Sequence, residues 1–266
     1  MNKIKSSYNI KLLSILLLTS FQLYAAEDAS PIPSSSSQVI IMVTDSVSCV
    51  KGTLYYFNRN SVKDQWKVVS GPIPVVLGRS GLGAGIGLQG TELDGRLPAK
   101  KEGDGRSPAG VFTLSCVFGY APTEAMAELK MPYIHITEAM ECVDDTASRY
   151  YNRIVSRKKI EETDSVDWNS SEKMRHAGIY YELGVVVDHN SNNIVTGAGS
   201  CIFLHNWADP DETMSGCTGM SPEIMKKIVY WLDDSKNPVL VQLTKDLYND
   251  LMKEWNLPRL PMSVTP

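Results

Sequence analysis

The stretch that most constrains this chain is residues 197–220, which read GAGSCIFLHNWADPDETMSGCTGM. A short apolar run with the composition of a β-strand ends at His205. A polar loop follows, and Ser215, Gly216 and Cys217 then form a tight turn. The pattern predicts that the fold brings one thiol and one imidazole together.

This pair suits nucleophilic catalysis. A free thiol has a pKa of about 8.5 and is mostly protonated near neutral pH, so a neighbouring imidazole is needed to take its proton. Gly216 leaves room for a carbonyl, and the backbone N–H groups of the turn can hold an oxyanion. We assign Cys217 as the nucleophile, His205 as its base, and Ser215 and Gly216 to the catalytic turn. The alternative is a buried or disulfide-bonded Cys217 beside an ordinary core histidine.

Several longer motifs accompany the pair. Residues 102–110 read EGDGRSPAG, residues 141–155 contain ECVDD and YYNRIV, and residues 167–174 read DWNSSEKM. Together with GAGSCIFLH and the Ser-Gly-Cys turn, they resemble the YkuD-type L,D-transpeptidases of bacterial cell walls, in a proteobacterial branch, over about residues 75 to 245. The resemblance implies a mainly β fold with flanking helices: a YkuD-like β-sandwich of mixed sheets, with a helix following the catalytic cysteine.

The resemblance also implies a reaction. Peptidoglycan stem peptides would be the substrates, a cysteine thioester the intermediate, and carbapenem-type β-lactams possible inhibitors, with no metal or organic cofactor. We expect a monomer. Attack by water instead of an amine would make the same site an L,D-carboxypeptidase or a related hydrolase. A non-catalytic cell-wall-binding module is the alternative of another class.

Two positions depart from the family pattern. Asn206 stands where glycine often follows the base, and Gly219 stands where the family often has an arginine that holds the donor peptide. The role of that arginine is then either vacant or filled by another residue, and Arg153 and Arg106 are the candidates to bind substrate in its place. For Arg106 the alternative is a solvated loop charge. Asn206 and Trp207, which follow the base, complete the predicted substrate-binding set.

The N-terminus has the pattern of an export signal. Lys3, Lys5 and Lys11 precede a short apolar run that ends in small residues, so we predict cleavage after Ala25 and a periplasmic protein. An uncleaved anchor is the alternative. Loss of the three lysines leaves 23 basic against 30 acidic residues, a net charge near −7, which argues against a nucleic-acid partner. The predicted organisation is a signal peptide (1–25), a linker (26–38), the catalytic domain (39–245), and a C-terminal helix and tail (246–266).

Export would place the cysteines in an oxidising compartment. If Cys217 stays free to react, Cys49, Cys116, Cys142 and Cys201 allow three connectivities, and their spacing does not choose among them. We expect a Cys116–Cys142 bridge. For Cys201, burial as a small apolar residue is an equally open alternative.

Local patterns predict the elements around the motifs. The acidic pair Asp144 and Asp145 is predicted to cap a turn rather than to bind a metal. His189 is predicted to be a turn histidine, and the polar segment 141–172 is predicted to be a lid or a substrate loop. Ser221 is a predicted helix N-cap, so the helix dipole should favour a thiolate at Cys217. Strands are predicted at 39–44, 53–57, 66–69, 73–77, 111–118, 180–188, 201–205 and 238–243, further helices at 123–130 and 247–255, and a turn-rich loop at 78–90.

Overall fold

The computed structural model describes residues 30–261, so the predicted signal peptide lies outside the described residues. The described chain forms thirteen strands and three α-helices. The strands are β1 (Gln38–Thr44), β2 (Lys51–Asn58), β3 (Lys67–Val76), β4 (Leu82–Ala84), β5 (Ser107–Gly119), β6 (Tyr133–His135), β7 (Met140–Val143), β8 (Arg153–Ser156), β9 (Glu172–Lys173), β10 (Leu183–Val187), β11 (Phe203–Asn206), β12 (Thr218–Met220) and β13 (Val239–Thr244). The helices are α1 (Arg157–Glu161), α2 (Pro222–Trp231) and α3 (Lys245–Leu251), with four short 3-10 segments at Thr123–Met126, Met174–His176, Gly178–Tyr181 and Asp234–Lys236.

Ten strands form one mixed sheet that closes on itself. Its order is β10-β11-β12-β3-β2-β1-β13-β5-β4, and β5 also pairs with β10, so eight of the strands make a barrel-like ring. The β1–β13 and β11–β12 pairs are parallel, whereas most other neighbours are antiparallel. A separate three-stranded sheet has the order β8-β7-β9. The prediction of a mainly β, sandwich-like fold of mixed sheets with flanking helices is confirmed.

The core lies inside the ring and under the helices. Every residue of β1 and β13 is buried, because these two neighbouring strands are covered on both faces. Helix α2 begins at the predicted N-cap, where Ser221 accepts a hydrogen bond from the Ile224 N–H, and it buries Met225, Ile228 and Val229. Burial of three such side chains stabilises the fold by several kcal/mol, about 1.5–3 each. Helix α2 therefore packs firmly against β10 and β11.

Segments outside the predicted catalytic domain also pack into it. Ile32, from the predicted linker, and Trp255, from the predicted tail, belong to the same core cluster as β1 and β13. Helix α3 begins at Lys245, two residues before the predicted start, because Thr244 caps it by accepting from the Leu247 N–H. The described parts of both segments are thus integral to the fold.

Two predicted strands join and one is shortened. The predicted strands 66–69 and 73–77 form the single strand β3, which passes through Gly71 with a φ of 125°. A Cβ at Gly71 would lie 2.4 Å from the Tyr55 ring, so only glycine fits there. The predicted strand 180–188 begins as a 3-10 turn after Gly178, whose φ is 61°, and becomes strand only at Leu183.

The three-stranded sheet is organised around one buried carboxylate. Glu141 accepts hydrogen bonds from Arg157 Nε at 2.6 Å, Trp168 Nε1 at 2.8 Å and Ser171 Oγ at 2.6 Å, and Lys173 Nζ lies 2.5 Å away. Burial alone would raise the pKa of Glu141, but these hydrogen bonds outweigh it and lower the pKa to about 2. The polar segment predicted as a loop is therefore an ordered layer.

The low pKa of Glu141 predicts acid sensitivity. Because its folded pKa lies below its ordinary value of 4.5, its stabilisation is complete above about pH 4.5 and is lost as the pH falls through 2. The melting temperature of the wild type should therefore fall more steeply between pH 5 and pH 2 than that of Glu141→Gln, which should already be lower at pH 7. Glu161→Gln, which removes an exposed partner of Arg157, is the control and should follow the wild type. If the melting temperatures of the wild type and Glu141→Gln fell equally steeply with decreasing pH, this account would be contradicted.

Candidate active site

Two parallel neighbouring strands place the predicted base and nucleophile. His205 lies in β11 and Cys217 immediately precedes β12, with Leu204 opposite Thr218 and His205 opposite Gly219. His205 and Cys217 both line a cavity of about 510 Å³. The loop between the two strands thus returns the thiol to the neighbourhood of the imidazole.

The thiol of Cys217 is buried and hydrogen-bonded to backbone. The Phe203 N–H donates to its Sγ at 3.3 Å, and Sγ donates to the Cys201 carbonyl at 3.4 Å. Burial raises the pKa of Cys217 well above its usual value, and the carboxylate of Glu172 raises it further. Without substrate, the sulfur is a neutral thiol at neutral pH.

The imidazole of His205 is held in one tautomer. Its Nδ1 lies 2.6 Å from the backbone carbonyl of Asn206, and because a carbonyl can only accept, Nδ1 carries the proton. This leaves Nε2 as the basic nitrogen. The rings of Tyr180 and Tyr181 pack edge-on against His205, with centroids 6.0 and 5.4 Å away. Burial lowers the pKa of His205 to about 4, so the imidazole is neutral and able to accept a proton.

The turn before the nucleophile is tightly enclosed. A Cβ at Gly216 would lie 3.3 Å from both the Arg106 carbonyl oxygen and the Ile202 Cδ1 atom, closer than is comfortable. In the described chain, no residue accepts a hydrogen bond from the backbone N–H of Gly216 or Cys217. Those N–H groups are therefore available to an oxyanion.

Sequence reasoning missed a serine that holds this turn in place through hydrogen bonds. Ser107 Oγ donates to the Cys217 carbonyl at 2.9 Å and accepts from the Gly78 N–H at 2.9 Å. It lies within the EGDGRSPAG motif, so the motif contributes directly to the position of the nucleophile. Its proximity to Cys217 had no local signal, since 110 residues separate the two.

A second cavity, of about 280 Å³, opens on another side of Cys217. It shares Glu172, Ser215 and Cys217 with the first cavity. Two cations that the sequence did not single out, Arg79 and Lys100, line it, and Arg79 Nη1 lies 3.4 Å from Ser215 Oγ. The predicted nucleophile therefore borders two cavities.

With this geometry in place, comparison with protein families is decisive. A model of the YkuD family, the L,D-transpeptidase catalytic domain, matches residues 46–241, well over half of the chain. The chain belongs to the YkuD family. It therefore carries an L,D-transpeptidase-type catalytic domain, of a family that acts on peptidoglycan peptides. Comparison with curated protein sequences and with solved structures gives no match.

Neither of the two arginines predicted to bind substrate lines a cavity next to the cysteine of this YkuD domain. The guanidinium of Arg106 donates to the carbonyls of Ser80 and Leu82 at 2.7 and 2.9 Å, and Arg153 is exposed on β8. Neither is among the described residues that line the two cavities next to Cys217. Their roles stay predictions, whereas Arg79 is a cation that does line the smaller cavity.

The other two predicted substrate residues are partly engaged in packing. Asn206 Nδ2 donates to the Ile179 carbonyl at 3.1 Å, while Trp207 packs against a second core cluster, which includes Phe203 and Cys217. Gly219 is also closely packed. A Cβ there would lie 2.8 Å from Met214 Cε and 3.1 Å from a Val76 methyl, so a larger side chain would require the end of the Met214 side chain to move.

The predicted Cys116–Cys142 disulfide is wrong. Cys142 is bonded to Cys201 instead, with Cα atoms 6.0 Å apart, and Cys49, Cys116 and Cys217 are free. The physical reason is that β7 and the chain just before β11 contribute to the same core cluster, which brings Cys142 to Cys201. Cys201, for which burial alone was an open alternative, is both buried and bridged.

The predicted effect of the helix dipole on Cys217 is also wrong. Strand β12 separates Cys217 from the N-cap Ser221 of α2, and the dipole effect falls off within the first turn of a helix. The helix dipole therefore does not account for thiolate formation at Cys217.

The remaining candidates are structural. His189 Nδ1 accepts from the Ile86 N–H at 3.2 Å and Nε2 lies 3.0 Å from the Ala198 carbonyl, as expected of a turn histidine. Asp145 accepts from the N–H groups of Ala147 and Asn169, which confirms turn capping for Asp145 of the predicted pair. Within residues 30–261, no group of three or more potential ligands is arranged to hold a metal, and no helix has the length and apolar character to cross a membrane.

Proposed function

We propose that this protein is a periplasmic L,D-transpeptidase that cross-links peptidoglycan stem peptides through a thioester at Cys217. One observation supports this most directly: Cys217 and His205, on adjacent parallel strands, line one cavity beside a turn with unbonded N–H groups. The Cys142–Cys201 disulfide supports export, because such bonds persist in oxidising compartments.

The proposed first half-reaction acylates the cysteine. The thiol proton of Cys217 moves to Nε2 of His205 as the sulfur attacks the carbonyl of the L-centre in an L,D-peptide bond. The N–H groups of Gly216 and Cys217 hold the oxyanion. The His205 imidazolium then protonates the departing amine of the terminal D-residue, and the tetrahedral intermediate collapses to a thioester.

The second half-reaction consumes the thioester. The amine of a neighbouring stem attacks the carbonyl, an amide bond forms, and the sulfur leaves and regains its proton. The same site becomes an L,D-carboxypeptidase if water attacks instead. A wall-binding module without catalysis would form no thioester.

The test is product analysis. The mature protein is incubated with purified tetrapeptide muropeptides, and the products are identified by mass, with Cys217→Ala as the control. Dimers that lack one D-residue support transfer, whereas tripeptides alone would establish the carboxypeptidase and contradict cross-linking. Absence of both products would overturn catalysis on these substrates and favour the wall-binding module.

A further inference from the structure

One carboxylate beside the sulfur has no role in either of the two half-reactions. Glu172 lines both cavities next to Cys217. It lies in β9 opposite Cys142, whose disulfide partner Cys201 accepts the Cys217 hydrogen bond through its carbonyl. The strand pairing and the disulfide therefore hold Glu172 beside the nucleophile.

The carboxylate is linked to the base as well. The Tyr181 hydroxyl donates to Glu172 Oε2, and the Tyr181 ring packs edge-on against the His205 ring at 5.4 Å. Burial raises the pKa of Glu172 to about 7, against the hydrogen bond from Tyr181 that lowers it, and the nearby carboxylates of Asp144 and Glu102 raise it further. Glu172 can therefore gain or lose a proton near neutral pH.

The other charged groups around Glu172 are largely engaged with neighbours. Glu102 accepts hydrogen bonds from the hydroxyls of Tyr151 and Ser200, and Lys100 is bonded to Asp104 at 2.7 Å. Lys173, the next residue along β9, pairs with Glu141, and Arg79 contacts the Gly103 carbonyl and Ser215.

Asp144 is the exception on the wall of the smaller cavity. Its Oδ1 is buried and has no hydrogen-bond partner among the described residues. A buried carboxylate oxygen without a partner is costly, and a bound donor relieves that cost. The wall beside Glu172 therefore favours a cationic hydrogen-bond donor.

We propose that Glu172 is a second catalytic base, which binds the primary ammonium group of the acceptor in the smaller cavity and takes its proton. This rests on the proposed function and extends it to the second half-reaction. One ammonium proton passes to the Glu172 carboxylate, and the neutral amine attacks the thioester carbonyl. The C–N bond forms and the C–S bond breaks. A second proton from the nitrogen passes to the Cys217 sulfur, and Glu172 later releases its proton to solvent.

A base other than His205 is chemically useful at this step. An alkyl ammonium has a pKa of about 10, as in lysine, whereas the pKa of His205 is about 4. Transfer from such an ammonium to His205 is uphill by about 6 pKa units, and transfer to Glu172 by about 3. Attack by water requires no ammonium-binding wall, so Glu172 favours transfer over hydrolysis.

The experiment compares Glu172→Gln with the wild type on tetrapeptide muropeptides. Acylation, followed by intact mass, should stay within about threefold, while the ratio of dimer to tripeptide falls about 10²-fold, the lower end of the usual contribution of a general base. Glutamine can still accept the hydrogen bond from Tyr181, so the fold is retained. Glu223→Gln, which removes an exposed carboxylate on α2, is the matched control and should leave the ratio unchanged.

Two more measurements separate a base from a structural group. In the wild type, the rate of dimer formation should rise as the pH passes through about 7. This rising part of the pH–rate profile should be absent in Glu172→Gln. The hydrogen bond from Tyr181 lowers the pKa of Glu172, so its loss in Tyr181→Phe should raise that pKa. The rise in the rate of dimer formation should therefore shift to higher pH. If Glu172→Gln fails to fold, the shift of the pH dependence in Tyr181→Phe is the readout that tests the base, and an unshifted pH dependence would overturn it.

The outcomes are distinguishable. A wild type that forms no thioester overturns the proposed function itself. A wild type that forms the thioester and only hydrolyses it overturns the second base but not the cysteine chemistry. Equal loss of acylation and transfer in Glu172→Gln, or an unchanged dimer ratio, also overturns the role of Glu172 as a base.

Discussion

Cys217→Ala should abolish covalent labelling by a carbapenem, whereas the wild type gains the mass of one inhibitor molecule. The reason is that the thioester is expected to form only at this sulfur. Alanine removes two hydrogen bonds of 3.3 and 3.4 Å that involve Cys217 Sγ and little else, so the variant should fold. Intact mass after a timed incubation is the measurement, and an unchanged melting curve is the check on folding.

Other variants give this test its controls. His205→Gln should slow labelling by about 10²- to 10⁴-fold without abolishing it, since a general base contributes a factor of that size. Cys49→Ser and Cys116→Ser, which remove the other two free thiols, should label at the wild-type rate. A persistent adduct on Cys217→Ala would show that another group is the nucleophile.

Removal of the Cys142–Cys201 disulfide has the largest expected effect on stability. The bond joins residues 59 apart in sequence, and closure of a loop of that length corresponds to about 4 kcal/mol in the chain-entropy model. Cys142→Ala should lower the free energy of unfolding by about that amount, measured by urea denaturation. Acylation should also slow, because the bond links the strand next to β9 to the carbonyl that contacts the Cys217 thiol.

Two further variants separate the effect of losing the disulfide from the effect of changing a cysteine side chain. Cys201→Ala removes the same bond and should cost as much, whereas Cys116→Ser removes a half-buried free thiol and should cost little. A loss below about 1 kcal/mol in both disulfide variants would contradict the proposed contribution of the bond.

Much of the architecture was readable from local pattern. Apolar and β-branched runs located β1, β2, β5 and β13, and Ser221 followed by Pro222 marked the start of α2. His205 and Cys217 stood out because a strand end and a glycine turn are short-range features that the residues themselves encode. Backbone preferences and side-chain periodicity act over a few residues, so they can be inferred from the amino-acid sequence.

The partners of these residues were not readable in the same way. The pairing of Cys142 with Cys201, the clamp of Ser107 on Cys217 and the position of Glu172 beside the sulfur all join residues 45 or more apart. Which distant groups meet depends on sheet closure and on the packing of β7 to β9 over the ring, not on local propensity. The predicted nucleophile and base thus lie within one short segment of the sequence, whereas the residues that surround them are brought together only when the layers of the fold pack against each other.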